Sequence, residues 1–314
     1  MELRHVRYFL AVAEERNFTR AATKLGIGQP PLSQQIKDLE AEIGAPLFHR
    51  SSQGADLTLA GEAFLDAVRG MPAQAQRSIQ AARRAFRGEI GSLRVGFLAS
   101  AAFNAPLQSA IRAFRRTYDG IELRLEEADT VRLLAGLRDG SLDVAFLRPG
   151  PLGADELVFH AFSEERMIVA LPSDYPAGPH EEMDLASLQS DPILLLPRAV
   201  SSTLYDAVIA ACRRAGFEPT IGQLVPQFTT MVSLVAVKFG VSILPASISQ
   251  WHNPGVVYRS LAGDALMAPL MLVHRKGEAS PAVRNFIELA MRPGEHPERA
   301  RPGAQSPREP SFVE

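Results

Sequence analysis

The sequence has one cysteine and no long apolar run, and each of these absences excludes a class of protein. Cys212 stands alone in 314 residues, so an intrachain disulfide framework and a four-cysteine zinc site are both excluded. No stretch approaches the ~18 consecutive apolar residues that a membrane-spanning helix needs. The N-terminus opens Met1-Glu2-Leu3 and lacks the apolar core of a secretory signal. We therefore expect a cytoplasmic protein without a membrane partner.

The charge balance gives little support for a nucleic-acid partner. The chain has 33 Lys/Arg against 35 Asp/Glu, which gives a formal net charge of −2. Residues 1–90 hold 12 basic and 10 acidic residues, whereas residues 91–314 hold 21 and 25. The positive excess of the first part has the right sign for DNA binding but is small. A prediction of function has to come from motifs.

Motifs for catalysis are also missing. The sequence contains no P-loop, no nucleophile elbow and no His-Glu-x-x-His zinc motif. Gly26-Ile27-Gly28 begins a dinucleotide-binding pattern, but Pro31 occupies the sixth position and the pattern follows a predicted helix. The seven histidines are scattered along the chain, and Cys212 is expected to be packed rather than reactive. We expect no enzyme, no metal and no cofactor, with an α/β enzyme carrying a helical appendage as the alternative.

The first 58 residues show the pattern of a winged helix-turn-helix. Apolar spacing and helix-end signals predict three helices, at 3–13, 19–25 and 29–43. Thr19 is the expected N-cap of the second helix. Pro30 and Pro31 suit the first turn of the third helix, where a missing N–H costs least. Two short strands are expected around a Ser/Gly-containing turn, at 47–50 and 56–58, and they form the wing.

Residues 59–90 are predicted to form one long amphipathic helix. Its apolar residues recur at three- and four-residue steps: Ala60, Phe64, Ala67, Val68, Met71, Ala75, Ile79, Ala82 and Phe86. This single stripe is too narrow for a globular core and suits pairing with a second copy of the chain. An ordinary domain helix is the alternative. Pro72 lies within the run and should kink or split the helix.

From residue 91 the pattern alternates between strands and helices. The predicted strands lie at 93–98, 121–126, 142–147, 167–171, 193–196 and 241–244, and the helices at 107–118, 131–138, 204–215 and 230–238. This alternation is typical of an α/β fold with a doubly wound parallel sheet. The tail at 293–314 has five prolines and no apolar periodicity, so we predict that it is disordered.

Several runs match one known family in order and in register. The N-terminal matches are Phe18-Thr19-Arg20-Ala21-Ala22, Leu25, Gln29-Pro30-Pro31-Leu32-Ser33, Leu39-Glu40, Gly44, Pro46-Leu47-Phe48, Arg50 and Leu57-Thr58-Leu59-Ala60-Gly61-Glu62. Later landmarks lie at 96–100, 140–145 and 240–245. Together they resemble the LysR family of transcriptional regulators over about 1–292. The sensor half resembles the branch whose members respond to aromatic acids.

The resemblance implies a fold and a set of partners. It implies a winged helix-turn-helix at 1–58, a dimerisation linker helix at 59–90 and a periplasmic-binding-protein-like, two-lobed effector domain at 91–292. We place lobe I at about 91–163 and 267–292, and lobe II at about 164–266. The implied partners are double-stranded promoter DNA, a small-molecule inducer and further copies of the chain, a dimer assembling to a homotetramer. RNA polymerase is a further candidate, and both activation and repression stay open.

The third helix of a helix-turn-helix lies in the major groove and contacts base edges. Gln29, Pro30, Ser33 and Gln34 lie in its first turns and are the candidates for base contacts. Gln can pair with adenine, Ser can bond to several bases, and Pro30 can pack on a thymine methyl. Family members often carry a basic residue at the position of Gln34, so a strong guanine or phosphate contact is missing. The candidates for phosphate contacts are Arg20, Lys37, Arg50, Ser51 and Ser52, each with a solvated side chain as the alternative.

In doubly wound sheets, ligands lie beyond the carboxyl ends of the strands. The resemblance places the inducer against Ser100, Thr130, Arg148, Ser202, Thr203 and Phe228. Such a set favours a small carboxylate, and Phe97 or Phe228 can contact an aromatic body. Two alternatives stay open, namely that Ser202 and Thr203 only cap a helix and that Arg148 forms an ion pair closing the lobes. The competing function is a transport receptor, because that class shares the two-lobed fold.

Overall fold

The structure is a computed structural model that describes residues 1–51, 54–148, 155–176, 182–263 and 265–292. The chain divides into two units, Met1–Ala85 and Phe86–Glu314. The tail predicted to be disordered, 293–314, lies outside the described residues. No helix in the described ranges has the length and apolar character needed to cross a membrane.

The first unit is a helical domain with a two-stranded wing. Its elements are α1 (Leu3–Glu15), α2 (Phe18–Leu25), α3 (Gln29–Ile43), β1 (Phe48–Ser51), β2 (Gly54–Leu57), α4 (Leu59–Val68) and α5 (Met71–Phe86), the last of which runs into the second unit. β1 and β2 pair antiparallel, with Phe48 opposite Leu57. The rings of Phe48 and Phe64 lie 5.2 and 4.8 Å from that of Phe9, which is fully buried. This aromatic cluster is the centre of the domain.

The helix ends follow local capping chemistry. The prediction for α3 is confirmed, because Gly28 is its N-cap and Gly44 ends it in the left-handed conformation, φ 79°. The prediction that Thr19 is the N-cap of α2 is wrong. Asn17 holds that position, and its side-chain oxygen accepts a hydrogen bond from the Arg20 N–H at 3.0 Å. Thr19 instead lies within the first turn, where its hydroxyl cannot cap the helix start.

The prediction of one continuous linker helix at 59–90 is wrong. The segment is split into α4 and α5 at Arg69–Gly70, so a break occurs near Pro72, as expected. Pro72 is the second residue of α5 and not the point of the break, since proline is accommodated best in a first helical turn. No residue of α5 is buried. Its apolar stripe is therefore left exposed by the residues that the structure describes.

Gly61 in α4 lies where no side chain fits. A Cβ atom added there would come within 2.1 Å of the Leu47 carbonyl oxygen and 2.9 Å of Leu57 Cδ2. Because a backbone carbonyl cannot rotate aside, we expect Gly61→Ala to lower the free energy of unfolding of the first unit by about 3 kcal/mol, despite the better helix propensity of alanine. Urea denaturation of the full chain measures the change. Gly70→Ala is the matched control, because an added Cβ there has no atom within 4 Å; equal losses in both variants would contradict the steric argument.

The second unit contains a ten-stranded sheet with helices on its faces. Its elements are β3 (Ile90–Phe97), α6 (Ala105–Thr117), β4 (Gly120–Glu127), α7 (Thr130–Asp139), β5 (Val144–Leu147), β6 (Leu157–Pro172), β7 (Glu182–Met183), β8 (Ile193–Leu195), α8 (Ser202–Arg214), β9 (Ile221–Leu224), α9 (Phe228–Ala236), β10 (Val241–Pro245), β11 (Val256–Leu261), β12 (Met267–Arg275) and α10 (Pro281–Ala290). Short 3-10 helices lie at Ala99–Phe103, Leu185–Leu188 and Ala246–Gln250. The main strand order is β4-β3-β5-β12-β6-β10-β8-β9.

β6 is shared by two lobes. Its residues 157–166 pair antiparallel with β12, and its residues 167–172 pair with β10 and β11. We use lobe I for the part built on β3, β4, β5 and β12, and lobe II for the part built on β7 to β11. Each lobe has its own buried core, with Phe146 and Phe286 in lobe I and Val169 and Val232 in lobe II. The parallel strands β4, β3 and β5 end side by side at one edge of lobe I.

Candidate functional site

One face of α3 holds the helix to its domain and leaves the other face exposed. Leu32, Ile36 and Leu39 are fully buried. At 100° per residue, Pro30, Gln34 and Lys37 lie on the opposite face, and their side chains are exposed. Gln29 is exposed at the first residue of the helix, nearer the buried side, and the half-buried Ser33 flanks the exposed face. The face is broad enough to lie against a groove, and it is mostly neutral.

Gln34 is oriented by its neighbour on the helix. Its Nε2 donates a hydrogen bond to Asp38 Oδ1 at 2.8 Å, which fixes the amide plane. Gln35 donates to the other oxygen of Asp38 at 3.4 Å. This arrangement leaves Oε1 of Gln34 as an acceptor for a donor outside the chain.

Arg50 connects the wing to α3. Its guanidinium donates to Ser33 Oγ at 2.9 Å and to Glu40 Oε2 at 3.1 Å, and it lies 4.7 Å from the ring centre of Phe18. The other oxygen of Glu40 accepts the Leu47 N–H at 2.8 Å. Arg50 therefore has an internal structural role, and a phosphate contact from it stays a prediction.

The other predicted phosphate-contacting residues are scattered around this face. The Arg20 side chain is 66% exposed and lies 3.7 Å from the Glu15 carboxylate. Ser51 is exposed at the end of β1, and Ser52 lies outside the described residues.

A cavity of about 280 Å³ lies between the two lobes of the second unit. Lobe I contributes the segments that follow β3, β4 and β5, and lobe II contributes the segments before α8 and α9. The lining residues are Leu98, Ala99, Ser100, Glu127, Ala128, Asp129, Arg148, Leu196, Val200, Ser201, Leu204, Pro226, Gln227 and Phe228. The position at the carboxyl ends of parallel strands is the one expected from sequence.

Three of the six predicted effector-binding residues line this cavity, namely Ser100, Arg148 and Phe228. Thr130, Ser202 and Thr203 are not among its lining residues, although each lies within three residues of one.

Two neighbouring residues that do line the cavity, Asp129 and Ser201, were not in the predicted effector-binding set. Asp129 is the N-cap of α7 and accepts the Arg132 N–H at 2.9 Å. Ser201 is the N-cap of α8 and accepts the Leu204 N–H at 3.5 Å, so neither Ser202 nor Thr203 is the cap. A polar residue directly before each helix is the signal that could have identified both.

Arg148 is the buried cation of the cavity, with a side chain only 2% exposed. One guanidinium nitrogen donates to the Pro269 carbonyl at 3.2 Å, and another lies 3.3 Å from Glu165 Oε1. Its Nε is buried and has no hydrogen-bond partner among the described residues. Burial lowers the pKa of Arg148, and the attraction of Glu165 acts in the opposite direction. The ion pair that the sequence left as an alternative is thus present, and the guanidinium keeps a spare donor.

The ion pair lies where the lobes join. Glu165 belongs to β6, and its second oxygen accepts the Ser247 N–H of lobe II at 2.9 Å. A second contact between the lobes is aromatic, since the ring of Phe103 lies edge-on to that of Trp251 at 6.4 Å. Gln250 donates to the Phe103 carbonyl at 3.1 Å. Movement of one lobe against the other would change the Glu165–Ser247 hydrogen bond and the contacts of Phe103 with Trp251 and Gln250.

Other reactive side chains of the described ranges do not form a site. His160 and His274 stack with 3.0 Å between their Nε2 atoms, and His274 Nδ1 lies 2.8 Å from the Arg275 carbonyl oxygen. No cluster of three or more potential metal ligands occurs within the part of the chain that the structure describes. Cys212 is buried, and this burial raises its pKa to about 11, which disfavours the thiolate.

Two family models match the chain. Residues 3–62 match "Bacterial regulatory helix-turn-helix protein, lysR family", and residues 86–292 match "LysR substrate binding domain". AlsR of Bacillus subtilis, an HTH-type transcriptional regulator, is 35% identical over 92% of this chain and 95% of its own length. The Hca operon transcriptional activator HcaR of Escherichia coli is 34% identical over 92% of this chain and 97% of its own.

Solved structures give the same result for the fold. The crystal structure of CbnR, a LysR family transcriptional regulator, has a TM-score of 0.85 at 30% identity and covers 92% of this chain and 100% of its own. The structure of full-length CbnR complexed with its target DNA has a TM-score of 0.82 at 30% identity. It covers 92% of this chain and 98% of its own.

Proposed function

The chain belongs to the LysR family of DNA-binding transcriptional regulators, and we propose that α3 contacts the operator while a small carboxylate in the interlobe cavity controls the response. The two alternatives, a transport receptor and an α/β enzyme, are wrong, because the family models and the named relatives describe regulators. We further propose 1–58 as the DNA-binding domain, 59–90 as the linker and 91–292 as the effector domain of a cytoplasmic protein.

The exposed face of α3 supports the DNA contact. Gln34 offers its Oε1 to a base, and Gln29 and Pro30 lie at the helix end that enters the groove in this type of domain. Lys37 and Arg20 are placed to contact phosphates, which position the helix without specifying the sequence. CbnR, which has been solved with its target DNA, shares the fold over the matched region.

The uncovered stripe of α5 supports a symmetric dimer. Met71, Ile79 and Phe86 are 40%, 46% and 84% exposed, and they follow each other at helical spacing. Pairing through this helix would bring two copies of α3 to half-sites about 34 Å apart or a multiple of that distance. Two such dimers would form the proposed homotetramer.

The single observation that carries the ligand proposal is the buried Arg148 at the carboxyl end of β5. Arg148 and Ser100 line the same cavity. A carboxylate can accept from both, and such charge-assisted hydrogen bonds are the strong ones. Leu98, Leu204 and Phe228 give the same cavity an apolar wall suited to a hydrocarbon body. A ligand held by both lobes would shift the population of their relative positions.

A gel-shift experiment tests the regulator proposal. We expect the full-length protein to bind the intergenic DNA upstream of its own gene with sequence preference at physiological salt. Loss of one base contact in Gln34→Ala should weaken that binding about tenfold. Gln189→Ala, which removes the same exposed side chain in lobe II, is the control. Binding without sequence preference, or equal effects of the two variants, would refute the assignment of α3.

A further inference from the structure

The interlobe cavity has two ends of opposite charge. Arg148 follows β5 at one end, and Glu127 and Asp129 lie at the end of β4. In the sheet, Glu127 pairs with Phe97 of β3, and Phe97 pairs in turn with Phe146 of β5. Since neighbouring strands lie about 4.8 Å apart, the Glu127 backbone lies about 10 Å from that of Phe146, two residues before Arg148. The cavity therefore distinguishes one end of a ligand from the other.

The charges at the two ends differ in how completely ion pairs and hydrogen bonds within the chain compensate them. Arg148 is neutralised by Glu165 at 3.3 Å. Glu127 is exposed, and neither an ion pair nor a hydrogen bond reaches its carboxylate from the described residues. Asp129 caps α7 through one oxygen and keeps the other. The acidic end thus has spare acceptors and an uncompensated negative charge.

A ligand with a carboxylate at both ends would place one of them against this negative charge, and like charges repel. A ligand with a hydrocarbon end would leave the acceptors without a donor. We propose that the inducer is a carboxylate with a hydrogen-bond donor, a hydroxyl or amino group, at its opposite end. Glu127 accepts that donor and determines the specificity of the site. The inference rests on the proposed function, because it assumes that the ligand carboxylate lies at Ser100 and Arg148.

The volume of the cavity limits the size of the ligand body. At about 280 Å³ it lies just below the usual range of roughly 300–1,000 Å³ for small-molecule sites. Leu98, Leu196 and Phe228 are also lining residues and give the cavity apolar surface. A single ring or a short chain suits this volume, and a para-substituted benzoate is a suitable probe.

Isothermal titration calorimetry on the full-length protein with benzoate, 4-hydroxybenzoate and terephthalate tests the inference. We expect 4-hydroxybenzoate to bind about tenfold more tightly than benzoate, and terephthalate to bind most weakly. Glu127→Gln should reduce the preference for the hydroxyl to about threefold and strengthen terephthalate binding about tenfold, because the repelling charge is gone. Glu126→Gln is the matched control, since Glu126 is an exposed neighbour on β4 that does not line the cavity.

The outcomes separate the inference from the proposed function. Equal affinities for the three probes, or a preference for terephthalate in the unchanged protein, would overturn the inference and leave the carboxylate site in place. Absence of binding by all three probes at millimolar concentration would contradict the proposed site itself, and the inference with it. Equal melting temperatures of the two variants and the unchanged protein show that the differences come from the ligand contacts.

Discussion

Arg148→Met is expected to lower the free energy of unfolding of the second unit by about 3–5 kcal/mol, because it leaves a buried carboxylate without its cation. The Glu165 side chain is only 7% exposed, so water replaces the guanidinium only in part. The remaining donor to Glu165 is the Ser247 N–H at 2.9 Å. One backbone hydrogen bond does not offset the desolvation of a full charge.

The double variant Arg148→Met/Glu165→Gln is the decisive comparison. The neutral amide introduced by Glu165→Gln can still accept the hydrogen bond from the Ser247 N–H and needs no cation. We therefore expect the double variant to recover most of the lost stability. Urea denaturation followed by tryptophan fluorescence measures this, because Trp251, the one tryptophan of the sequence, lies in the second unit against Phe103. A double variant as unstable as the single variant would show that the ion pair is not the cause.

The same double variant separates stability from ligand response. It should fold, yet it should bind 4-hydroxybenzoate at least tenfold more weakly, since the guanidinium donors to the ligand carboxylate are gone. Operator binding by α3 should remain largely intact without ligand. If basal operator binding and the ligand response were lost equally, the role of Arg148 as a ligand contact would be wrong.

Local rules were sufficient for parts of the fold. The range of α3 follows from Gly28, Pro30, Pro31 and Gly44, each of which acts within one turn of the helix. The strand predicted at 167–171 is only the last part of β6, which spans 16 residues from Leu157. The missed part includes Glu164-Glu165-Arg166, a charged run without the alternation of a half-buried strand. Its strand structure depends on pairing with β12, about a hundred residues later in the chain.

In the candidate site, too, residues with a local sequence signal were predicted, and those that depend on non-local pairing were not. Ser100, Arg148 and Phe228 were predicted from the family resemblance, and the first two also lie just after predicted strands. The partner of Arg148 could not, since Glu165 reaches it through the non-local pairing of β6. Glu127 was missed for another reason. Strand β4 is an edge strand that is exposed along most of its length, so burial periodicity does not show which of its acidic residues faces the cavity.

Ile79→Lys in α5 is expected to break the proposed pairing of two copies through α5 and to weaken operator binding by two or more orders of magnitude. Ile79 lies in the middle of the uncovered stripe with Ala75 and Ala82 one turn away on either side. A lysine there would place two like charges in the interface between the copies. A monomer holds only one half-site, and loss of the second linked contact removes the gain of about 10²–10⁴ that bivalent binding supplies.

Ala73→Lys adds the same charge on the opposite side of α5, about 120° from Ile79 at 100° per residue. Analytical ultracentrifugation and gel shifts on both variants distinguish an interface effect from a charge effect. No residue of α5 is buried in the single chain, so neither change should unfold a unit. An Ile79→Lys protein that keeps the oligomeric state of the unchanged protein, or an Ala73→Lys protein that dissociates as well, would mean that the stripe of α5 is not the surface that pairs two copies.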